Sequence, residues 1–319
     1  MQPIDPNHIP SGGLYLTDSG LETTLVFHHG LDLPHFAAFP LLCTSEGTSL
    51  LREYYRAHAA IARKVGLGFV AEAPTWRAHR DWGERLGYDA VALAAANTAA
   101  IELMREIVAE VGDDVPVVVS GNIGPRYDAY KPDRLMTVRE ARDYHAAQVN
   151  TFRMAGADMA STLTLAHSEE GAGAALAARD AGLPVAVGFT VETDGRLPSG
   201  ETLAEAVRAV DGETQRCPIY YVVNCAHPDH VLPALGDGGS WRQRIGGFRG
   251  NASRCSHAEL DDAETLDSGD PAEFAASSVQ LRGQLPHLRV LGGCCGTDLH
   301  HIACLARALR PAEPARRVA

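Results

Sequence analysis

Lysine is nearly absent: Lys64 and Lys131 are the only two in 319 residues. Neither closes a candidate strand, so a barrel aldolase or lyase working through a Schiff base has no nucleophile in place. Basic residues as a class are outnumbered, 28 Lys plus Arg against 40 Asp plus Glu, and the formal charge is -12. That balance argues against non-specific binding to nucleic acid or to an anionic membrane. No apolar run approaches the ~20 residues that cross a bilayer. The opening MQPIDPNHIPSGG has neither a basic start nor a hydrophobic stretch. No secretory signal is therefore expected, and the cytoplasm is the expected compartment. There is no P-loop, and Gly236-Asp237-Gly238-Gly239 follows no clear strand, so a Rossmann nucleotide site is not expected. No Pro/Ser-rich linker, repeat or low-complexity tract divides the chain, which reads as one domain over 1–319 with an N-terminal extension at 1–12. With 45% apolar and 21% charged residues it can bury a full core.

Short apolar runs alternate with amphipathic stretches. Candidate strands are Gly13–Thr17, Gly68–Ala73, Pro116–Ser120, Ala157–Thr162, Pro184–Thr190, Ile219–Asn224, Arg244–Arg249 and Leu288–Gly292. Helical patterns cover Ser45–Val65, Tyr88–Val111, Thr137–Ala155, Ser168–Ala181, Glu201–Val210, Pro271–Gln284 and Asp298–Leu309, with a capping box at Thr137 and Glu140. Eight strands, most followed by a helix, predict an α/β fold, a (β/α)8 TIM barrel. Periodicity alone would also permit a doubly wound sheet. Phe27–Leu42 and Arg249–Ser268 exceed what a minimal barrel needs. Both follow strands, on the side where barrels carry their binding loops.

Seven cysteines at irregular spacing do not make a disulfide framework in a chain this long. The strongest local signal is Leu291-Gly292-Gly293-Cys294-Cys295-Gly296-Thr297, just after the last candidate strand. Adjacent cysteines seldom bridge each other. Two thiolates from one turn can hold one metal ion if a third ligand arrives from another strand end. Tyr220–Cys225 offers that third sulfur at its close. The alternative for each is a buried thiol. Zinc prefers sulfur, and a catalytic site keeps one of four positions open. A closed structural site would need a fourth ligand, with His227 or Cys255 as candidates. Three thiolates suit an ion that activates a substrate thiol better than one that activates water. That chemistry points to alkyl transfer onto sulfur.

Four motifs in order resemble the zinc-dependent homocysteine S-methyltransferase family, over roughly Gly13 to Leu309. They are Asp18-Ser19-Gly20-Leu21-Glu22-Thr23 after the first strand, Ser120-Gly121-Asn122-Ile123-Gly124-Pro125 after the third, Val223-Asn224-Cys225, and Gly292-Gly293-Cys294-Cys295-Gly296-Thr297. The resemblance implies the same barrel fold, with zinc on Cys225, Cys294 and Cys295. It places Asp18, Ser19 and Gly20 about the amino-acid end of a thiol substrate, with Asn224 supporting the zinc loop or the substrate. Read alone, Asp18 is equally a turn cap. Thr75 and Trp76 match a polar–aromatic pair, and Trp76 is a candidate wall for a cationic methyl donor. Asn251 matches a family Asn. The activity implied is methyl transfer from a small onium compound (S-methylmethionine, S-adenosylmethionine or a betaine) to homocysteine, giving methionine.

One departure bears on the substrate. Where the family carries a Glu that can hold the substrate ammonium, this chain reads Ser161-Thr162-Leu163-Thr164, with Leu163 at the acidic position. Either Glu22, Glu72 or Glu192 takes over, or the acceptor is another thiol or selenol. A zinc- or thiol-binding barrel without turnover is the non-enzymatic alternative. His28-His29 and His300-His301 read as surface pairs, Arg56, Arg63 and Lys64 as a solvated helix face, and Cys304 as core.

Overall fold

In the computed structural model the described residues are 9, 12–112, 114–236, 238–261, 263 and 265–310. Eight parallel strands close on themselves in sequence order. They are β1 (Tyr15–Leu16), β2 (Gly68–Glu72), β3 (Val117–Ile123), β4 (Met159–Thr162), β5 (Val185–Phe189), β6 (Tyr220–Ala226), β7 (Ile245–Gly250) and β8 (Val290–Gly293). The barrel is sealed by β1, which pairs Tyr15 with Gly68 on one side and with Val290 on the other. Eight helices follow the strands in turn: α1 (Ser45–Val65), α2 (Ala90–Val111), α3 (Val138–Ala155), α4 (Ser168–Asp180), α5 (Leu203–Thr214), α6 (Pro228–Ala234), α7 (Pro271–Gln284) and α8 (Leu299–Leu309). This is the expected TIM barrel. The closed ring excludes the doubly wound sheet.

Alternation along the strands builds two cores. Tyr15, Val70, Val118, Met159, Ala186, Tyr220, Val222 and Val290 fill the barrel interior. Their neighbours Leu16, Phe69, Val119, Val187, Tyr221 and Leu291 face the helices. Ile9, inside the stretch expected to be an extension, is fully buried in the interior cluster. The same parity, carried two residues further, points Glu72, Ser120, Ser161, Asn224 and Arg249 inward at the C-terminal mouth. The apolar plug therefore gives way to a polar layer there.

The helix ends follow their sequence signals. Thr137 and Glu140 cap α3 reciprocally, Thr202 and Glu205 do the same for α5, and Asp298 caps α8. Helix α6 and two short helices, Arg80–Arg85 and His257–Asp261, lie outside the helical patterns read from sequence. They are too short for a clear 3.6-residue period. One surface assignment is corrected. His28, His29 and His300 are exposed, but His301 is buried, with Nδ1 2.7 Å from Asp298 Oδ1 and Nε2 2.8 Å from the Ser268 carbonyl. The capping geometry turns one imidazole of the pair inward. Cys304 is only partly buried against the core. No helix among the described residues is long and apolar enough to cross a membrane.

Candidate active site and metal centre

The mouth opens into a cavity of about 480 Å³. Its walls include every site residue expected from sequence: Asp18, Ser19, Gly20, Glu22, Trp76, Asn224, Asn251, Cys225, Cys294 and Cys295. Phe27 and Phe36 from the loop after β1, and Ser253, His257 and Asp267 from the loop after β7, complete the rim. Both long loops therefore serve the site.

The three expected sulfurs converge, all lying within 4.8 Å of one another. A regular strand would turn Cys225 toward the helices, because Asn224 already points inward. The pairing of β6 with β7 shifts between Asn224 and Ala226, and Cys225 adopts a left-handed φ of 51°. This irregularity turns the thiol into the cavity. His257 holds the turn, its Nε2 donating to the Cys225 carbonyl at 2.6 Å, while Nδ1 lies 3.2 Å from Glu192. Cys294 and Cys295 sit on the turn after β8. There Gly296 takes φ 78°, and a Cβ on Gly20 would collide with the Cys294 carbonyl.

Cys225 and Cys294 are joined as a disulfide in this structure, and Cys225 Sγ lies 3.8 Å from Cys295 Sγ. The ligand set expected from sequence is thus assembled, but two of its members are oxidised to each other. Tetrahedral zinc with Zn–S bonds near 2.3 Å separates its sulfurs by about 3.8 Å. Three converging cysteine sulfurs are a donor set that suits zinc, once the Cys225–Cys294 bond is reduced. His227 and Cys255 are not part of the cluster.

Sequence reading missed Arg249, which entered it only as the end of a strand. The side chain is 5% exposed and spans the mouth. Nε donates to the Gly293 carbonyl at 3.0 Å, Nη2 to the Ser19 carbonyl at 3.1 Å, and Nη1 to Glu72. Nη2 also lies 2.9 Å from Asp18 Oδ1, a charge contact rather than an aligned hydrogen bond. Burial opposes the charge on Arg249, yet Asp18 and Glu72 outweigh it and hold the guanidinium firmly protonated. Burial pushes Asp18 and Glu72 up, and Arg249 pulls both back. Ser161 donates to Glu72 at 2.9 Å. Asp18 and Glu72 are therefore committed inside the protein. A charged residue closing the apolar run Ile245–Phe248 was the available signal.

Behind Asp18, Tyr54 lies 3.1 Å from both Asp18 Oδ2 and Ser19 Oγ, and His58 Nε2 lies 2.9 Å from Ser19 Oγ. His58 Nδ1 meets the Tyr54 carbonyl at 2.8 Å, so Nδ1 carries a proton. Burial lowers His58 to about 4. Nε2 of the neutral ring then accepts from Ser19, and Tyr54 has one proton for two acceptors.

Of the acids proposed to replace the missing family Glu, Glu192 serves His257 and Glu72 serves Arg249 and Ser161. Glu22 lines the cavity, and no side chain among the described residues hydrogen-bonds to it. Burial raises it to about 7, and the nearby Asp18 charge adds to the rise. Leu163 packs into the barrel-interior cluster, 5% exposed. Asn224 is a loop brace: Oδ1 accepts from Thr164 N at 2.8 Å, and Nδ2 donates to Thr164 Oγ1 at 2.7 Å. Asn251 lines the cavity and is 3% exposed, and its Oδ1 is enclosed without a hydrogen-bond partner. Trp76 donates to the Leu163 carbonyl at 3.2 Å, but the Arg77 guanidinium lies over its ring at 4.0 Å. The protein's own cation thus stacks on the ring expected to receive a cationic donor. Thr75 donates to the Asn122 carbonyl at 2.7 Å and is a strand brace.

The family model of homocysteine S-methyltransferases matches residues 15–309. The chain belongs to that family. It is an S-methyltransferase. Among solved structures, homocysteine methyltransferase MmuM from Escherichia coli shares the fold. Its oxidised form superposes with a TM-score of 0.73 at 21% identity, covering 92% of this chain and 95% of that one. The metallated form gives 0.70 at 19% identity, covering 95% and 98%. The apo form gives 0.66 at 20% identity, covering 93% and 96%. No curated protein sequence matches at a significant level.

Proposed function

We propose that this methyltransferase binds zinc through Cys225, Cys294 and Cys295 and moves a methyl group from a small onium donor to homocysteine, giving methionine. The carrying observation is the convergence of three sulfurs, from the ends of β6 and β8, in the wall of a substrate-sized cavity. When bound, the ion lowers the pKa of the acceptor thiol and keeps it nucleophilic. The chain's own residues do the rest. Arg249, Asp18 and Glu72 lock the strand ends that carry the turns. Glu22 is the carboxylate left to meet the substrate ammonium. Leu163 and Trp76 keep water from the reacting atoms. In line, a bond forms from the acceptor sulfur to the methyl carbon as the bond from that carbon to the onium atom breaks. The donor leaves neutral, and the thiol proton goes to solvent.

A second acceptor is favoured by one observation. Asp18, Ser19 and Gly20, the seat expected for the amino-acid end, are engaged by Arg249, Tyr54, His58 and Thr297. A thiol or selenol without an α-amino group needs no such seat. The test begins with metal content after reduction of the Cys225–Cys294 bond, in wild type and in Cys295→Ala. About one zinc per chain, lost in the variant, supports the site. Methyl transfer from S-methylmethionine, S-adenosylmethionine and betaine to homocysteine and to simple thiols then separates the acceptors. No zinc uptake by the reduced wild type would remove the proposal.

A further inference from the structure

We propose that Arg77 forms a carboxylate subsite in the cavity wall, taking the carboxylate of an amino-acid-like methyl donor or acceptor. The ligand class rests on the methyl-transfer reading; the anion site rests on the geometry of Arg77 itself. Arg77 follows Trp76 in the loop after β2, lines the cavity and is 7% exposed. Its guanidinium lies over two indoles, 4.0 Å from the Trp76 centroid and 3.8 Å from that of Trp82. Contact with two rings restrains the guanidinium, and its N–H donors remain for hydrogen bonding.

Those donors are under-used. Nη1 reaches the Tyr127 carbonyl only at 3.5 Å, and Nε is enclosed without a partner. Among the described residues no carboxylate lies within ion-pair distance of the guanidinium. Asp128 and Glu22 feel its charge without pairing with it. Asp128 Oδ1 is occupied by the backbone N–H groups of Tyr130 and Lys131, each at 2.8 Å. Arg249 in the same cavity shows the contrast, with two carboxylates and two carbonyls on its guanidinium. A buried guanidinium without counter-charge is unfavourable, and burial lowers Arg77 to about 10. An incoming carboxylate relieves that cost. Glu22, Asp128 and Asp267 also line the cavity, so a zwitterion suits it better than a dianion such as phosphate.

The test is direct binding to the reduced full-length protein, without turnover, followed by calorimetry and by Trp fluorescence. S-methyl-L-methionine against its carboxamide forms the donor arm, and L-homocysteine against L-homocysteinamide the acceptor arm. The acid should bind about 10- to 100-fold more tightly than the amide in at least one arm. Arg77→Gln should abolish that preference while leaving amide affinity within about twofold, and Arg77→Lys should keep part of it. The arm that responds identifies the substrate carrying the carboxylate. The proposal is overturned if neither acid outbinds its amide, or if Arg77→Gln retains the preference. Failure of zinc uptake or methyl transfer, with the Arg77-dependent preference intact, refutes the function above and leaves this subsite standing.

Discussion

Replacing Arg249 by Met should be among the most damaging single changes at the barrel mouth. The variant keeps a long side chain but strands Asp18 and Glu72, which are 3% and 4% exposed. Removing one partner of a buried ion pair typically costs about 3–5 kcal/mol. For a chain of this size each kcal/mol moves Tm by roughly 2–4 °C, so a fall of about 6–20 °C is expected. The sign of the pH dependence follows from the acids. Burial already holds both above their ordinary values, and Arg249 pulls them down. Without Arg249 both rise further, so the folded variant takes up protons that the unfolded chain releases. Stability contributed by a raised acid is full below the unfolded pKa and is lost as pH rises through the folded one. The gap between wild type and Arg249→Met should therefore be widest near pH 8 and narrow toward pH 5. Thermal unfolding at several pH values, under reducing conditions, measures it. Adding Asp18→Asn and Glu72→Gln to Arg249→Met should recover much of the loss. A deficit below about 1 kcal/mol, or one that does not depend on pH, would refute the clamp.

Glu22→Gln should stabilise the protein at pH 8 by up to about 3 kcal/mol, because burial raises Glu22 from 4.5 to about 7 and its contribution is lost across that window. Calorimetric unfolding at pH 5 and pH 8 checks it. The same substitution should flatten any rise in acceptor KM between pH 8 and pH 6, which steady-state kinetics would show. Asn224→Ala removes the acceptor for the buried Thr164 N–H and should cost about 2–3 kcal/mol in urea unfolding. Zinc uptake should require a reductant, since Cys225 and Cys294 cannot serve as thiolates while joined; metal analysis with and without reductant decides this.

Much of the fold was readable because it obeys a period. Helices α1 and α7 fall on the residues expected, and the strands lie within a few residues of theirs, since β-branched runs and capping residues are local signals. The three sulfurs were found because each sits at a strand end. What local pattern cannot show is which strand ends face one another across the mouth. Glu72 and Arg249 are 177 residues apart in sequence, and only barrel closure brings them together. Trp76 lines the cavity, but the adjacent Arg77 stacks on its face. Arg77 also stacks on Trp82, carried by a helix too short to read.

The Arg249 clamp and Leu163 act together on the charge of the mouth. With Leu at the family's acidic position, β4 brings no carboxylate to the cavity from there. Arg249 enters from β7 and consumes Asp18, the other acid expected under the substrate. A buried cation at the mouth and a leucine at 163 shift the local charge in the same direction, toward a mouth that holds an ammonium less well. Glu22 is then the carboxylate in the cavity wall left without a side-chain partner. Arg77, short of counter-charge, makes the carboxylate the better-held end of any amino acid bound there. Substrate recognition in this chain should therefore depend more on the acid group than on the amine.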